Sequence, residues 1–323
     1  MARTRLYRNG TLAAEDFPAD EVADRLAEPD TLVWVNMSSP DEDDLATIAR
    51  QLNLHRLAVE DAVHEHQRPK LDRYDSHLFM TAYAVRVHAD TDLLTAGEVA
   101  AFMTPRALVT VTKDDGFEVE RLVSRWDSTA DGAASGIGYL VYGLLDYIVD
   151  SHVDAAQELS EKTEALEDAV FEERGGYTDI QRRSLRLHRS IALLRRVVQP
   201  MGDIVNAMIR LDFEGADARL RPYFQDIRDH VLRTAELTDS LRDLLANIRE
   251  TQLTLQGNRL NEIMKKVTSW AAIIAIPTAI TGFYGQNLPY PGFAQPWGFW
   301  FSSAVIVAAS SALYLLFKRR DWL

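Results

Sequence analysis

The C-terminal end of the chain carries an apolar pattern that sets it apart from the rest. No charged residue occurs from Val267 to Phe317, and two apolar runs lie inside this tract, Val267–Tyr284 and Trp297–Phe317. A hydrocarbon core about 30 Å thick is crossed by roughly 17–25 helical residues. The pattern therefore predicts two transmembrane helices, at about 267–284 and 297–317, joined by a short loop.

A long helix is predicted directly before the first span. Apolar residues and threonines recur there with a period of 3.5 residues, at Leu220, Phe224, Ile227, Val231, Thr234, Thr238, Leu241, Leu245 and Ile248. Such a seam is typical of helices that pack in bundles. No proline lies between Pro222 and Pro277, so a stalk helix at 219–266 is expected to run into the span and to end near Tyr284. A helix of this length is expected to pack against copies of itself in a closed cyclic oligomer.

Shorter elements precede the stalk and predict a cytosolic α/β domain at 1–135. Alternating and β-branched runs predict a hairpin around Asn9-Gly10, at Arg3–Ala14, and four further strands, at Leu32–Asn36, Leu78–Val87, Glu98–Met103 and Leu108–Thr112. Helices are expected after Ser39, with Ser39 as the cap and Pro40 at the first position, and at Arg56–Val63 and Asp115–Trp126.

Two longer helices predict a helical hairpin at 136–218. The first extends from Tyr139 to Arg174 and is ended by a glycine pair, and the second extends from Thr178 to Leu211. A proline inside a helix removes a hydrogen bond and bends the axis, so a kink is expected at Pro200.

The first span also carries a stripe of small and polar residues. They are spaced alternately three and four apart, at Thr254, Asn258, Asn261, Met264, Thr268, Ala271, Ala275, Thr278, Gly282 and Gly285. This spacing puts them on one side of a continuous helix. Small residues on one face allow close packing between membrane helices, and a polar face can equally line a pore. Periodicity alone leaves both interpretations open.

Charge and composition exclude several functional classes and orient the chain. The formal net charge is −13 and no basic block lies outside the membrane flanks, so nucleic acid is not an expected partner. There is no cysteine, which excludes disulfides and thiolate metal sites. No catalytic constellation is found, and no enzyme is predicted. Lys265 and Lys266 precede the first span and Lys318, Arg319 and Arg320 follow the second, so both termini are expected in the cytoplasm of a cell-membrane protein.

The same stretch resembles the CorA-type magnesium transporter family. The residues that carry the resemblance are N-x-x-N-E-x-M-K-x-x-T from Asn258, a proline in mid-span, G-x-Y-G-x-N from Gly282, a second span and a basic tail. The run VEDAVHEHQRPKLDRYDSHLF resembles the soluble domain of the family. Family members end the first span in Tyr-Gly-Met-Asn, and here Gln286 stands in place of the methionine.

The resemblance implies a fold and a pore. The fold is an α+β membrane protein that forms a funnel-shaped cyclic homo-oligomer, a pentamer, in membrane lipid. The implied selectivity filter is Tyr284, Gly285, Gln286 and Asn287, whose oxygens would accept hydrogen bonds from the water shell of Mg²⁺. The implied pore-lining residues are Asn261, Met264, Thr268, Ala275, Thr278 and Gly282, with Met264 as an apolar constriction.

The resemblance also implies regulation by intracellular Mg²⁺ bound between subunits, which holds the pore shut. Its expected ligands are Asp61 and Asp226, with Glu60 and Asp146 as neighbours. Mg²⁺ is then both the transported and the regulatory ion, and no organic cofactor is expected. Gln286 and the acid-free loop Leu288–Pro296 leave Co²⁺ and Ni²⁺ open as transported ions. Two alternatives also stay open: a zinc transporter of the same architecture, and a membrane-anchored sensor of divalent cations without flux.

Overall fold

A computed structural model describes residues 2–64, 67–113, 116–128, 136–171, 176–210, 218–286, 292–293 and 295–323. The chain divides into two compact units, Met1–Asn247 and Ile248–Leu323. A mixed sheet of seven strands lies in the first unit, in the order β2-β1-β3-β7-β6-β5-β4. The strands are β1 Ala2–Arg8, β2 Thr11–Glu15, β3 Thr31–Ser38, β4 Lys70–Arg73, β5 Leu78–His88, β6 Leu93–Met103 and β7 Ala107–Thr112. Only β3 and β7 pair in parallel among these described strands.

The hairpin at the N-terminus forms as predicted. Asn9 and Gly10 both have positive φ, at 51° and 81°, as a type I′ turn requires. The three longer predicted strands are also confirmed, although β6 begins at Leu93 rather than at Glu98. Strand β4 and the short helix α1, Val22–Ala27, were not predicted.

Helices cover both faces of the sheet. The face formed by Val33, Val35, Phe79 and Phe102 shares its core with α1, with α2, Glu42–Gln51, and with α3, Arg56–Val63. The other face is covered by α4, Val119–Asp127, by α5, Ile137–Phe171, by α6, Tyr177–Arg210, and by the first turns of α7, Arg221–Tyr284. The core is therefore two apolar layers, one on each side of the sheet.

Two predicted helix starts are wrong. Helix α2 is capped by Asp41, whose carboxylate accepts a hydrogen bond from the Asp44 amide at 2.8 Å, and not by Ser39. Ser39 has φ of 46° and its hydroxyl donates to the Lys113 carbonyl oxygen at 2.9 Å. Helix α4 begins at Val119, not at Asp115, which lies outside the described residues.

The late start of α4 has a steric reason. A Cβ atom placed on Gly97 of β6 would lie 2.3 Å from the Gly116 carbonyl carbon and 2.5 Å from the Phe117 nitrogen. The backbone of residues 116 and 117 therefore passes directly against the sheet. Phe117 is buried there, with its ring 5.2 Å from that of Tyr147.

The two helices of the predicted hairpin contact each other and also the sheet. Ser151 of α5 accepts a hydrogen bond from the Val85 amide at 3.0 Å, and Ser190 of α6 accepts one from the Leu94 amide at 2.9 Å. The described parts of 1–135 and 136–218 thus share one compact unit, while the division at residue 135 stays a prediction. Helix α6 is continuous through Pro200.

Helix α7 extends from Arg221 to Tyr284 over 64 residues, about 96 Å at 1.5 Å per residue. Pro222 lies in its first turn and the helix ends at Tyr284, both as predicted. Every residue of the 3.5-residue seam from Leu220 to Ile248 is buried in this single chain. The bundle seam predicted from the 3.5-residue period is therefore covered within the single chain. Val231 belongs to the core over the sheet, and Asp239 forms an ion pair with Arg195 of α6 at 2.7 Å.

The second unit contains the end of α7 and helix α8, Pro296–Arg319. Both helices are long and apolar enough to cross a membrane, which agrees with the two predicted spans. Helix α8 ends in a Schellman motif, in which the Trp322 amide donates to the Phe317 carbonyl oxygen at 3.0 Å. The rings of the same two residues stack with centroids 5.5 Å apart.

Candidate functional site

The small and polar stripe of α7 is uncovered along its whole length in this chain. The candidate pore-lining residues are all exposed, namely Asn261, Met264, Thr268, Ala275, Thr278 and Gly282. Within the first span, part of the opposite side of the helix is covered. Ser269 is completely buried, the Trp270 ring lies 6.5 Å from the Tyr314 ring of α8, and Ile273, Ile276 and Ile280 are half-buried.

The hydroxyl groups near the middle of the span bond to their own helix. Thr278 Oγ1 donates to the Ile274 carbonyl oxygen at 3.0 Å, and Thr281 Oγ1 donates to the Pro277 carbonyl oxygen at 2.8 Å. Their protons are used in these bonds, so what the threonines offer outward is lone pairs that accept hydrogen bonds. Apart from the adjacent backbone of α7, no atom of the described residues lies within 4 Å of the position that a Cβ on Gly282 would take.

The candidate filter begins where α7 ends. The Gly285 amide donates to the Thr281 carbonyl oxygen at 2.9 Å, and both Gly285 and Gln286 are exposed. The Tyr284 ring lies nearly perpendicular to the Phe283 ring, with centroids 5.7 Å apart. Asn287 lies outside the described residues. Of the four candidate filter residues, the structure therefore describes the first three.

A groove at the other end of the stripe was missed by sequence reasoning. It is lined by Asn258, Asn261, Glu262, Met264, Lys265, Thr268 and Trp322. Trp322 lies just after the basic tail. The presence of an aromatic residue at that position was the only sequence signal for the groove. Three of the candidate pore residues, Asn261, Met264 and Thr268, thus line a groove that the Trp322 side chain borders.

The candidate regulatory residue Asp61 is held by a lysine. Lys70 Nζ lies 2.7 Å from Asp61 Oδ2 and 2.8 Å from Asp72 Oδ2. Burial lowers the pKa of Lys70, but the hydrogen bonds to Asp61 and Asp72 outweigh it and raise that pKa overall. Glu60, the neighbour of Asp61, is exposed. Sequence reasoning assigned no role to Lys70, although it is the lysine of the Gln-Arg-Pro-Lys segment.

The second set of candidate carboxylates lies around Tyr142. Asp146 Oδ2 is 2.7 Å from the Arg125 guanidinium, which also pairs with Asp150. Burial raises the pKa of Asp146, against the attraction of Arg125. Burial and the negative charges of Asp146 and Asp226 raise the pKa of Tyr142 to about 12. Because both carboxylates act on Tyr142, the structure brings Asp146 and Asp226 to one neighbourhood. Asp226 itself is exposed.

Asp61 and Asp226 lie on elements that cover opposite faces of the sheet. Helix α3 shares the core with Val33 and Phe102, whereas the first turns of α7 share the core with Trp34 and Met103. Among the described residues, no group of three or more His, Asp or Glu residues could hold a metal ion. Exposed carboxylate oxygens suit Mg²⁺ chemically. A site that contains both aspartates therefore needs a second copy of the chain.

Comparison with known proteins places the chain in a family. The family model described as "CorA-like Mg2+ transporter protein" matches residues 29–319. The chain belongs to this CorA-like family. Its members are membrane transporters of divalent cations, with Mg²⁺ as the family's ion and two C-terminal spans, and they are not enzymes. The resemblance stated from the sequence is confirmed.

Individual relatives span nearly the whole chain. The chain is 26% identical over 301 residues to the "Putative metal ion transporter YfjQ" of Bacillus subtilis, covering 93% of this chain and 92% of the relative. It is 25% identical over 297 residues to the "Cobalt/magnesium transport protein CorA" of Thermotoga maritima, covering 91% of this chain and 84% of the relative.

Solved structures share the fold. The CorA magnesium transporter of Methanocaldococcus jannaschii aligns with a TM-score of 0.81 at 21% identity, covering 100% of this chain and 99% of that one. The cytoplasmic domain of ZntB from Vibrio parahaemolyticus aligns with a TM-score of 0.61 at 10% identity, covering 79% of this chain and 98% of that domain. The predicted α/β domain, long helix and two spans are thus confirmed as one known fold.

Proposed function

We propose that the chain transports hydrated Mg²⁺ across the cell membrane through a central pore lined by α7. The observation that carries the proposal is the stripe from Asn261 to Gly282, whose small and polar residues are all exposed in the single chain. The bundle seam lower on α7 is already buried. In a cyclic oligomer, proposed as a pentamer, this exposed stripe is the small and polar face of α7 that would surround the axis.

The chemistry of the stripe suits an ion that keeps its water. Mg²⁺ gives up its hydration shell reluctantly and prefers oxygen ligands. The threonine lone pairs, the Asn261 amide and the filter residues Tyr284, Gly285, Gln286 and Asn287 offer acceptors without a fixed charge. Met264 is 60% exposed and would form an apolar ring that can gate by losing its water. Co²⁺ and Ni²⁺ are further candidate ions, because the external loop 288–296 carries no acid.

Regulation is proposed to occur between neighbouring subunits. Asp61, with Glu60 beside it, lies on one face of the first unit, and Asp226, with Asp146 beside it, lies on the other. In a ring, opposite faces of neighbouring subunits can meet. Facing carboxylates repel each other until a divalent ion bridges them, so intracellular Mg²⁺ would hold the ring in one arrangement. Both termini are proposed to lie in the cytoplasm, since the basic residues flank the spans on that side.

The test is flux into liposomes that contain the purified chain. Mg²⁺ influx is expected, and Asn287→Ala should abolish it while Gln286→Met, which restores the family's residue, should retain it. Persistent Mg²⁺ flux in Asn287→Ala would overturn the assigned filter. Zn²⁺ flux that follows a pH gradient would favour a zinc transporter. Rearrangement of the protein by Mg²⁺ without flux of any divalent ion would favour the membrane-anchored sensor.

A further inference from the structure

Two carboxylates from different elements converge on one ammonium group. Asp61 comes from α3 and Asp72 from β4, and their Oδ2 atoms lie 2.7 and 2.8 Å from Lys70 Nζ. All three side chains are about one-third exposed, at 30% for Asp61, 39% for Asp72 and 32% for Lys70. The ammonium thus occupies a position that is built by two acids and open to water.

An ammonium and a divalent cation compete for the same lone pairs. Mg²⁺ binds carboxylate oxygen directly at about 2.0–2.1 Å or through its ordered waters. In either mode, Mg²⁺ at Asp61 lies close to the Lys70 ammonium, and the two cations repel each other strongly. Asp61 therefore cannot be the only partner of both at the same time. Lys70 has a flexible four-carbon stem and a compact charge. Its ammonium can therefore remain paired with Asp72 when it leaves Asp61.

We propose that Lys70 is an internal competitor of regulatory Mg²⁺ at Asp61. With little intracellular Mg²⁺ the Lys70 ammonium neutralises Asp61, and when Mg²⁺ binds there Lys70 keeps only Asp72. The strength of the Lys70–Asp61 pair then sets the Mg²⁺ concentration at which the transporter responds. This inference rests on the proposed regulatory role of Asp61.

Helix α3 is held to the sheet independently of Lys70. Ala58 and Ala62 are buried in the core beneath the helix. The Lys113 ammonium donates to the Asp61 carbonyl oxygen at 3.4 Å and to the His64 carbonyl oxygen. Loss of Lys70 should therefore leave Asp61 in place. If Lys70 instead served to position Asp61, its loss would weaken the response to Mg²⁺. The two roles therefore predict opposite changes in the Mg²⁺ concentration at which the protein responds.

The test compares Lys70→Met with Arg73→Met in the full-length protein. Arg73 lies on the same strand, is exposed, and forms no ion pair with any residue that the structure describes. Its substitution removes the same charge from the same region. Two responses to Mg²⁺ alone are measured: the rise in melting temperature, which reports binding to the folded state, and the inhibition of flux from the cytoplasmic side.

Competition predicts that Lys70→Met lowers both the Mg²⁺ concentration that gives a fixed rise in melting temperature and the midpoint concentration for inhibition of flux, by about two- to fivefold, the range expected for a partly exposed ion pair. Arg73→Met should leave both concentrations near those of the wild type. A midpoint that is unchanged or raised in Lys70→Met would overturn the competition.

Asp61→Asn separates this inference from the proposed function. If Asp61→Asn weakens the response to Mg²⁺ but Lys70→Met does not lower the midpoint, only the competition fails. If Asp61→Asn leaves the response unchanged, both the regulatory role of Asp61 and the competition fail. In the double variant, the effect of Lys70→Met on the midpoint should disappear.

Discussion

The imidazole Nε2 atom of His152 on α5 lies 2.7 Å from the backbone carbonyl oxygen of Tyr83 on β5. Because a carbonyl oxygen only accepts, Nε2 must carry the proton. Nδ1 is buried and has no hydrogen-bond partner among the residues that the structure describes. The imidazole is therefore neutral, and burial lowers its pKa from an ordinary 6.5 to about 4. It links the first long helix of the hairpin to β5, the strand next to the edge strand β4.

This histidine predicts a loss of stability in mild acid. A second buried histidine, His77, also has its pKa lowered to about 4, by burial and then by the nearby His55. The unfolded chain binds protons near pH 6.5 and the folded chain does not, so stability is full above that pH and falls as the pH drops toward 4. Each group is expected to contribute up to about 3 kcal/mol. The measurement is the melting temperature of the full chain between pH 7.5 and pH 4.5.

The matched variants are His152→Gln and His188→Gln. Glutamine can still donate a hydrogen bond to Tyr83 but does not titrate, so the pH dependence should become shallower in His152→Gln. His188 is exposed on α6, and its variant should keep the full dependence. If the melting temperature of His152→Gln depends on pH as strongly as that of the wild type, this imidazole does not cause the loss of stability in acid.

A buried ion pair between β6 and the residue that follows β7 predicts that single and double variants differ strongly in stability. Glu98 Oε1 lies 2.6 Å from Lys113 Nζ, and both side chains are 6% exposed. Tyr83 also donates to Glu98, at 2.9 Å. Removing one partner leaves a buried charge, so Glu98→Gln is expected to cost about 3–5 kcal/mol.

Removing both charges should be milder. Glu98→Gln with Lys113→Met leaves no unpaired buried charge, and the double variant should be more stable than the sum of the two single losses predicts. Thermal or denaturant unfolding of the three variants measures this. Additive losses would contradict a direct coupling of the two groups.

The cap of α2 provides a direct test of a helix start that the sequence placed wrongly. Asp41 and Asp44 bond reciprocally to each other's backbone amides, at 2.8 and 3.3 Å. Asp41→Ala is therefore expected to cost about 1 kcal/mol. Ser39→Ala removes one exposed hydrogen bond to the Lys113 carbonyl and should cost about half as much. Unfolding measurements compare the two, and a larger loss in Ser39→Ala would contradict the structure.

Local patterns were enough for much of the fold. Asn9-Gly10 specifies its turn by backbone conformation alone, and the helix Arg56–Val63 and the end of α7 at Tyr284 follow from periodicity and helix-ending residues. Contacts between distant residues were not predictable in this way. The seam of α7 indicates a packing surface but not its partner. Only the fold shows that its first turns lie in the core over the sheet and that the helix pairs with α6 through Asp239 and Arg195.

The candidate site divides along the same line. The stripe on α7 is a property of one helix, so its spacing could be read from the sequence. The pairing of Asp61 with Lys70, nine residues away, depends on the position of β4 beside α3, and the pairing of Asp146 with Arg125 depends on α4 packing on α5. Neither partner carries a local signal, because an isolated acid or base in a sequence is most often a solvated surface charge.

The open space beside Gly282 allows the proposed pore to be tested by volume. In the part of the chain that the structure describes, only the adjacent backbone of α7 lies within 4 Å of a Cβ placed there, so Gly282→Leu should fold. Leucine also favours a helix over glycine by roughly 0.8 kcal/mol. If the stripe lines a pore, one leucine from each subunit would fill it, and Mg²⁺ flux should fall more than about tenfold, corresponding to roughly 1.4 kcal/mol in the barrier. Gly282→Ala, with a single added methyl group, should reduce flux only in part. The measurement is Mg²⁺ influx into liposomes, with size-exclusion chromatography to confirm that assembly is intact. Wild-type flux in an intact Gly282→Leu assembly would mean that the exposed face of α7 packs against other helices and that the ion takes another route.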